Sequence, residues 1–526
     1  MKTSAVRIFL VGAALVLAAC GTDSQTSTID TTNTARGTLV EDPPLRIASL
    51  DAATLNAELM ASASGQQLLQ VAGAPVCGVD FNYFHYWTVG GMNETATASG
   101  ALMVPTGGAS CTGARPIVLY AHGTDTDKNR NLADITDPTN SEGALIAAIF
   151  AAQGYIVVAP NYAGYDTSSL DYHPYLNADQ QSKDMIDALT AARKALGHVL
   201  ASTTTDNGKL FITGYSAGGF VAMATHKAMQ AANMPVTASS PMSGPYALEA
   251  FSDAVFFGHV NLGSTIFTPM ITTSYQRSYG NIYAATSDVF EPAYAATIEG
   301  LLPSATPIDN IIGSGLLPQL ELFNSNTPGN GAPSTGSPAL DALLAEPSDP
   351  NDPNTALFQL GFGTSNLINN SFRIAYAADA AANQDGALGL QVNNLLPAAT
   401  PANTLRQAFK LNDMRSWTPS APVLMCGGAS DPVVFFPLNT LVMQAYWQVY
   451  APQLPAGLVT VLDVNSAPTG PNDPFLLAKG GFAQAELAID AAAGGGAAGF
   501  EARVLSYHTT VAPFCTRAAR GYFDLF

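Results

Sequence analysis

From residue 116 onward the chain alternates between two hydrophobic patterns. Runs that are apolar at nearly every position, at 116–121, 155–160 and 210–213, predict short strands buried on both faces. Between them lie longer stretches with apolar residues three and four apart. The clearest is 179–196, where Met185, Leu189, Ala192 and Leu196 form a stripe between charged positions until Gly197 stops the helix. Further helices are predicted at 142–153 and 217–232, and a fourth strand at 235–240. This repeated β-α-β order predicts the α/β class, a mostly parallel sheet with helices on both faces. Ahead of it, 77–105 is punctuated by Gly90-Gly91 and reads as an antiparallel hairpin at the start of the sheet.

The alternation breaks near 245. Helical patches then mix with clusters such as Thr327-Pro328-Gly329-Asn330-Gly331 until a strand at 422–426 restores it. A helix at 438–450, a strand-like run at 458–464 and a final segment at 500–507 follow. A span of this length is too long for a connection, so 245–420 is expected as an inserted domain. Residues 46–244 and 421–526 are then the two parts of one core.

The N-terminus departs from both patterns. Lys2 and Arg7 precede an apolar run, Ile8 to Ala19, too short for the roughly 20 residues that span a bilayer. It suits a signal peptide, and it ends in Leu17-Ala18-Ala19-Cys20, which resembles the lipobox of bacterial lipoproteins. Residues 1–19 are expected to be removed and Cys20 lipidated. Residues 20–45, rich in Thr, Ser and Asp, are expected as a flexible tether. Gly21 is not the aspartate associated with retention, so the expected location is the outer membrane or cell surface. The remaining cysteines, Cys77, Cys111, Cys426 and Cys515, are even in number, as expected of disulfides in an oxidising compartment. Three pairings are possible, and proximity favours 77 with 111 and 426 with 515. No C-x-x-C spacing or His pair points to a metal.

Charge narrows the partners. With 21 Lys+Arg against 40 Asp+Glu, the net charge of −19 argues against nucleic acid, polyanionic substrates and anionic membrane surfaces.

The candidate chemistry starts at Gly214-Tyr215-Ser216-Ala217-Gly218-Gly219. As a string G-x-S-x-G is weak, but here it closes a predicted strand and opens a predicted helix. A serine on so sharp a turn needs small neighbours, and the helix N-terminus behind it aims free N–H groups at any developing negative charge. Such a serine needs a base and an orienting acid, in the chain order Ser, acid, His. His226 lies on the elbow's own helix and His259 at the start of the insertion, which leaves His508 as the base. Asp431, in Gly427-Gly428-Ala429-Ser430-Asp431-Pro432 after the strand at 422–426, is the preferred acid, with Asp463 its competitor. The oxyanion donors are expected to be the N–H of Ala217 and that of Thr124, with Gly123 the alternative to Thr124. His122 is read as structural. A bridge between Cys426 and Cys515 would join the acid loop to a histidine loop.

Tyr120-Ala121-His122-Gly123-Thr124, Pro160-Asn161-Tyr162-Ala163-Gly164-Tyr165, His173-Pro174-Tyr175, the elbow, Asn412-Asp413, Trp417-Thr418-Pro419 and residues 428–433 occur in this order. Together they resemble the α/β-hydrolase superfamily and, within it, the secretory lipase family, over about residues 75–520. The resemblance implies an α/β-hydrolase fold with a mostly helical cap at 245–420. It also implies a Ser216–Asp431–His508 triad and carboxylic-ester hydrolysis through an acyl-enzyme, without metal or organic cofactor. The expected partners are a small ester or lipid substrate and, through the anchor, a membrane. Phe256, Phe257, Ile266, Phe267, Met270, Ile271, Leu316 and Leu317 would suit an apolar acyl channel or simply the cap's own core. Lipase, short-chain esterase and polyester hydrolase stay open, as do a serine peptidase on the same fold and a non-catalytic binding lipoprotein.

Overall fold

The computed structural model describes residues 35–526 except 138, 200–202, 329 and 389–393. The expected signal peptide at 1–19 and Cys20 lie outside the described residues. Nine strands form one sheet: β1 (Leu45–Leu50), β2 (Gly78–Val89), β3 (Thr95–Thr106), β4 (Ala114–Ala121), β5 (Ile156–Pro160), β6 (Thr205–Tyr215), β7 (Ala238–Met242), β8 (Val423–Gly427) and β9 (Val459–Asp463). Their spatial order is β1-β2-β3-β5-β4-β6-β7-β8-β9. The first four in that order pair antiparallel, and every later pair is parallel. The hairpin at the start of the sheet and the parallel block after it are therefore present. This is the α/β-hydrolase arrangement, with β1 added at its edge.

Period-two alternation explains why the strands carry so few polar residues. Ile117, Leu119, Ile156, Val158, Leu210 and Ile212 face one side, under Met185, Leu189, Ala192, Phe220 and Val221 of helices Ala178–Ala195 and Ala217–Ala231. Val118, Tyr120, Val157 and Phe211 face the other, under helix Ser141–Ile149 and the C-terminal helix Gly496–Phe523, which contributes Val511, Phe514 and Phe523. Neither face meets water, so the binary pattern along each strand disappears.

Two expectations need correction. The tether at 20–45 is not free over its described part. Gly37 and Val40 donate backbone hydrogen bonds to Trp87 and His85, and Arg36 pairs with Asp187 at 2.8 Å. Likewise no loop carries His508. Two helices, Leu476–Ala492 and Gly496–Phe523, form a hairpin at the end of the chain, and His508 lies inside the second. Their alanine-rich sequence favours helix, and the three glycines Gly494, Gly495 and Gly496, all at positive φ, make the turn between them.

The long excursion between β7 and β8 contains helices Leu248–Phe256, Ser264–Tyr279, Asn370–Ala382 and Thr404–Asn412, with two minimal two-stranded ladders. Its apolar side chains, Phe251, Tyr275, Phe323 and Tyr376 among them, join the same cluster as Ile212 and Phe220 of the core. Buried ion pairs tie its helices together. Arg406 reaches Asp253 at 2.7 Å, Asp379 at 2.9 Å and Glu249 at 3.3 Å, while Arg415 reaches Asp385 at 2.6 Å and Asp413 at 2.8 Å. Disulfides link Cys77 to Cys111 and Cys426 to Cys515, the pairing that proximity favoured. No described helix is long and apolar enough to cross a membrane.

Candidate active site

Ser216 caps β6 at φ 59° and ψ −126°, a region that costs a non-glycine residue about 1–3 kcal/mol. Packing supplies the compensation. A Cβ on Gly214 would stand 2.4 Å from the Ala121 carbonyl oxygen, one on Gly218 2.0 Å from the same oxygen, and one on Gly219 2.3 Å from the Met242 carbonyl oxygen. The elbow is wedged between β4 and β7, and the Ser216 N–H donates to the Met242 carbonyl at 2.9 Å. Ala217 opens the following helix, whose backbone ladder starts with the Gly219 and Phe220 N–H groups donating to the Ser216 carbonyl at 2.8 and 3.3 Å.

Asp431 lies in the turn after β8. Its Oδ1 accepts from the N–H groups of Val433 at 2.9 Å and Val434 at 3.1 Å, and its Oδ2 lies 2.7 Å from His508 Nδ1. Three partners therefore hold this buried carboxylate in one orientation. Asp463, the competing acid, does not approach His508. It accepts from the N–H of Ala429 at 3.0 Å and so braces the turn that presents Asp431. His508 packs its ring 4.9 Å from that of Tyr215, the residue before Ser216. Its Nε2 is buried and makes no hydrogen bond among the described residues.

The loop after β4 is organised by residues that sequence reading did not single out. Glu142 Oε1 accepts from the Gly123 N–H at 3.2 Å and the Tyr120 hydroxyl at 2.8 Å, and Oε2 from Arg130 at 2.8 Å. The Gly123 N–H is thereby engaged, which favours Thr124 as the second oxyanion donor. Thr124 Oγ1 is 2.5 Å from the Tyr175 hydroxyl. His122 faces two carbonyls, those of Gly123 at 2.7 Å and Asn161 at 3.1 Å, and stacks on Tyr162. Burial pushes the His122 imidazole below its ordinary range, and it pushes His173 behind it down to about 3. Both rings are held in place by backbone carbonyls, that of Ala163 facing His173 Nδ1 at 2.9 Å, which fits a role in building the loop. Asn161 and Tyr175 lay inside the family-like strings, whereas Glu142 was read only as the start of the predicted helix 142–153, and none of these signals says which residue holds which.

Ser216 and Ala217 stand at the wall of a cavity of about 680 Å³, counting space open to solvent. Leu248, Phe251, Val255, Phe256, Phe267, Ile271, Leu405, Phe409, Val433 and Val434 make it apolar. Of the residues suggested for an acyl channel, Phe256, Phe267 and Ile271 line it. Met270 and Leu317 are buried without lining it, Phe257 and Ile266 pack against the core, and Leu316 is exposed.

The rice cell wall degrading esterase LipA from Xanthomonas oryzae superposes with a TM-score of 0.61 at 25% identity, over 83% of this chain and 92% of LipA, and a LipA variant matches at 26%. A protein from Legionella pneumophila shares the fold at 17% identity and a TM-score of 0.60, over 93% of this chain and 97% of its own. The model of the prolyl oligopeptidase family matches residues 143–252, a stretch that includes the elbow. No curated protein matches the sequence. Fold and relatives together define an α/β-hydrolase of the lipase and esterase kind.

Proposed function

We propose that this chain is a serine carboxylic-ester hydrolase, with Ser216 as nucleophile, His508 as base and Asp431 as orienting acid. The observation that carries the reading is the 2.7 Å contact between Asp431 and His508 beside a strained serine that faces an apolar cavity. His508 Nε2 takes the Ser216 hydroxyl proton as Oγ adds to the ester carbonyl, and the Ala217 and Thr124 N–H groups receive the oxyanion. Each such donor is worth about 3 kcal/mol in the transition state. The protonated imidazole then gives its proton to the departing alkoxide, leaving an acyl-serine. Water, deprotonated by His508, repeats the addition, and expulsion of Ser216 Oγ with return of the proton releases the acid. Asp431 holds the Nδ1–H tautomer and stabilises the imidazolium.

The cavity's apolar lining suits the hydrocarbon part of a neutral ester. Ser216→Ala is expected to reduce hydrolysis of a short p-nitrophenyl ester to background while leaving the thermal midpoint nearly unchanged. Full activity in that variant would refute the assignment. The prolyl oligopeptidase match favours a second reading, a peptidase using the same triad, and turnover of an aminoacyl-naphthylamide in place of the ester would establish it.

Two disulfides fit an exported protein. Anchoring through a lipid on Cys20 is part of the same proposal. In a bacterial host, Cys20→Ser should move the protein from the membrane to the soluble fraction, and an unchanged membrane share would argue against the anchor.

A further inference from the structure

His508 sits on a helix, so its imidazole goes wherever that helix goes. Two ties hold the helix to the strand of the acid: the Asp431 contact with Nδ1, and the Cys426–Cys515 bridge two turns further on. Between them lies Pro513, which offers no N–H to the Thr509 carbonyl and weakens the helix there. Neither tie sets the distance from the imidazole to Ser216, which belongs to a different strand.

Tyr215 supplies that link. It is the last residue of β6, its ring is buried against the imidazole at 4.9 Å, and its hydroxyl donates to the backbone carbonyl of His508. The hydroxyl lies 3.5 Å from Nδ1, beside the Asp431 bond without replacing it. Burial, then the nearby Asp431 carboxylate, raise the phenol well above its ordinary range, so it stays a donor. The other phenol near the acid turn, Tyr507, accepts the Ser430 N–H at 3.3 Å instead. Tyr215 does not line the cavity beside Ser216.

We propose that Tyr215 is a positioning residue that clamps the helix of His508 to the nucleophile's own strand, so that imidazole and hydroxyl keep their working separation. The proposal rests on the triad reading and goes beyond it, because it gives a task to the variable residue inside G-x-S-x-G.

Tyr215→Phe keeps the ring and removes the clamp. It is expected to lower kcat about ten- to a hundredfold with KM within about twofold, the signature of lost alignment rather than lost binding. At position 215, 4-aminophenylalanine keeps a donor and should restore most of kcat, whereas 4-methylphenylalanine has the same bulk without a donor and should not. That pair carries the test even if the phenylalanine variant fails to fold. Folded Tyr215→Phe with wild-type kcat, or equal activity in the two analogues, would overturn the proposal. Labelling of Ser216 by a fluorophosphonate, with no activity in Ser216→Ala, checks the triad separately. If the wild type resists the probe and Ser216→Ala stays active, the triad reading falls and takes this proposal with it.

Discussion

Ser216 keeps its strained backbone because the three neighbouring glycines let β4 and β7 close to within contact of the elbow. The role of these glycines is therefore close approach, not freedom of φ. Gly218→Ala would place a methyl group 2.0 Å from the Ala121 carbonyl oxygen and 2.7 Å from that of His122, both backbone atoms rather than the end of a flexible side chain. A cost of about 3 kcal/mol or more is expected in urea unfolding. Gly480→Ala is the matched control, since its Cβ would enter open space inside helix Leu476–Ala492 and should stabilise by up to about 1 kcal/mol. Similar losses in both variants would contradict this account of the elbow. The two acids differ in the same concrete way, as Asp431 meets the imidazole and Asp463 braces the turn behind it.

At the scale of elements, the excursion's helices and the segments that follow them are joined by more carboxylates than arginines. Glu249, Asp253, Asp379, Asp385 and Asp413 share Arg406 and Arg415. Burial chiefly, then the charges of Asp253 and Asp385, push Glu249 up to about 8, against the lowering effect of Arg406. Asp253 is raised to about 6, again mainly by burial. A carboxyl that holds its proton more tightly when folded stabilises fully below its unfolded pKa of about 4.5. That contribution fades as pH rises and is gone above about 8. Glu249→Gln keeps the group neutral, so its thermal midpoint should match wild type near pH 5 and exceed it near pH 9. Equal losses between those two pH values in both proteins would show that Glu249 does not drive the alkaline decline. The helices so joined, Leu248–Phe256 and Thr404–Asn412, also wall the cavity through Phe251, Val255, Leu405 and Phe409, so their alignment and the cavity's shape are coupled.

For the whole molecule, the sheet presents the ends of β6 and β8 at one edge, separated by β7, and the excursion closes over that edge to form the cavity. The cavity is apolar because it is lined by the faces that the excursion's helices turn toward the core. Val255→Trp would fill part of it. Hydrolysis of long-chain p-nitrophenyl esters should fall about tenfold or more in kcat/KM, while the acetate ester changes little. Equal effects on both would mean the acyl chain lies elsewhere.

The alternation of patterns was enough to read the parallel strands, the elbow and the break after β7, because strand ends and tight turns write their requirements locally as apolar runs and glycines. Ser216, Asp431 and His508 could be nominated from chain order and their places after such runs. What the chain alone left open was decided by packing across long separations. Which carboxylate meets the imidazole, Asp431 or Asp463, turns on contacts of 2.7 and 3.0 Å made across 77 and 34 residues, a quantity with no local signature. The helix bearing His508 went unread because alanine-rich sequence has little contrast between its buried and exposed faces. Tyr215 shows the same limit: its hydrogen-bond partner lies 293 residues away.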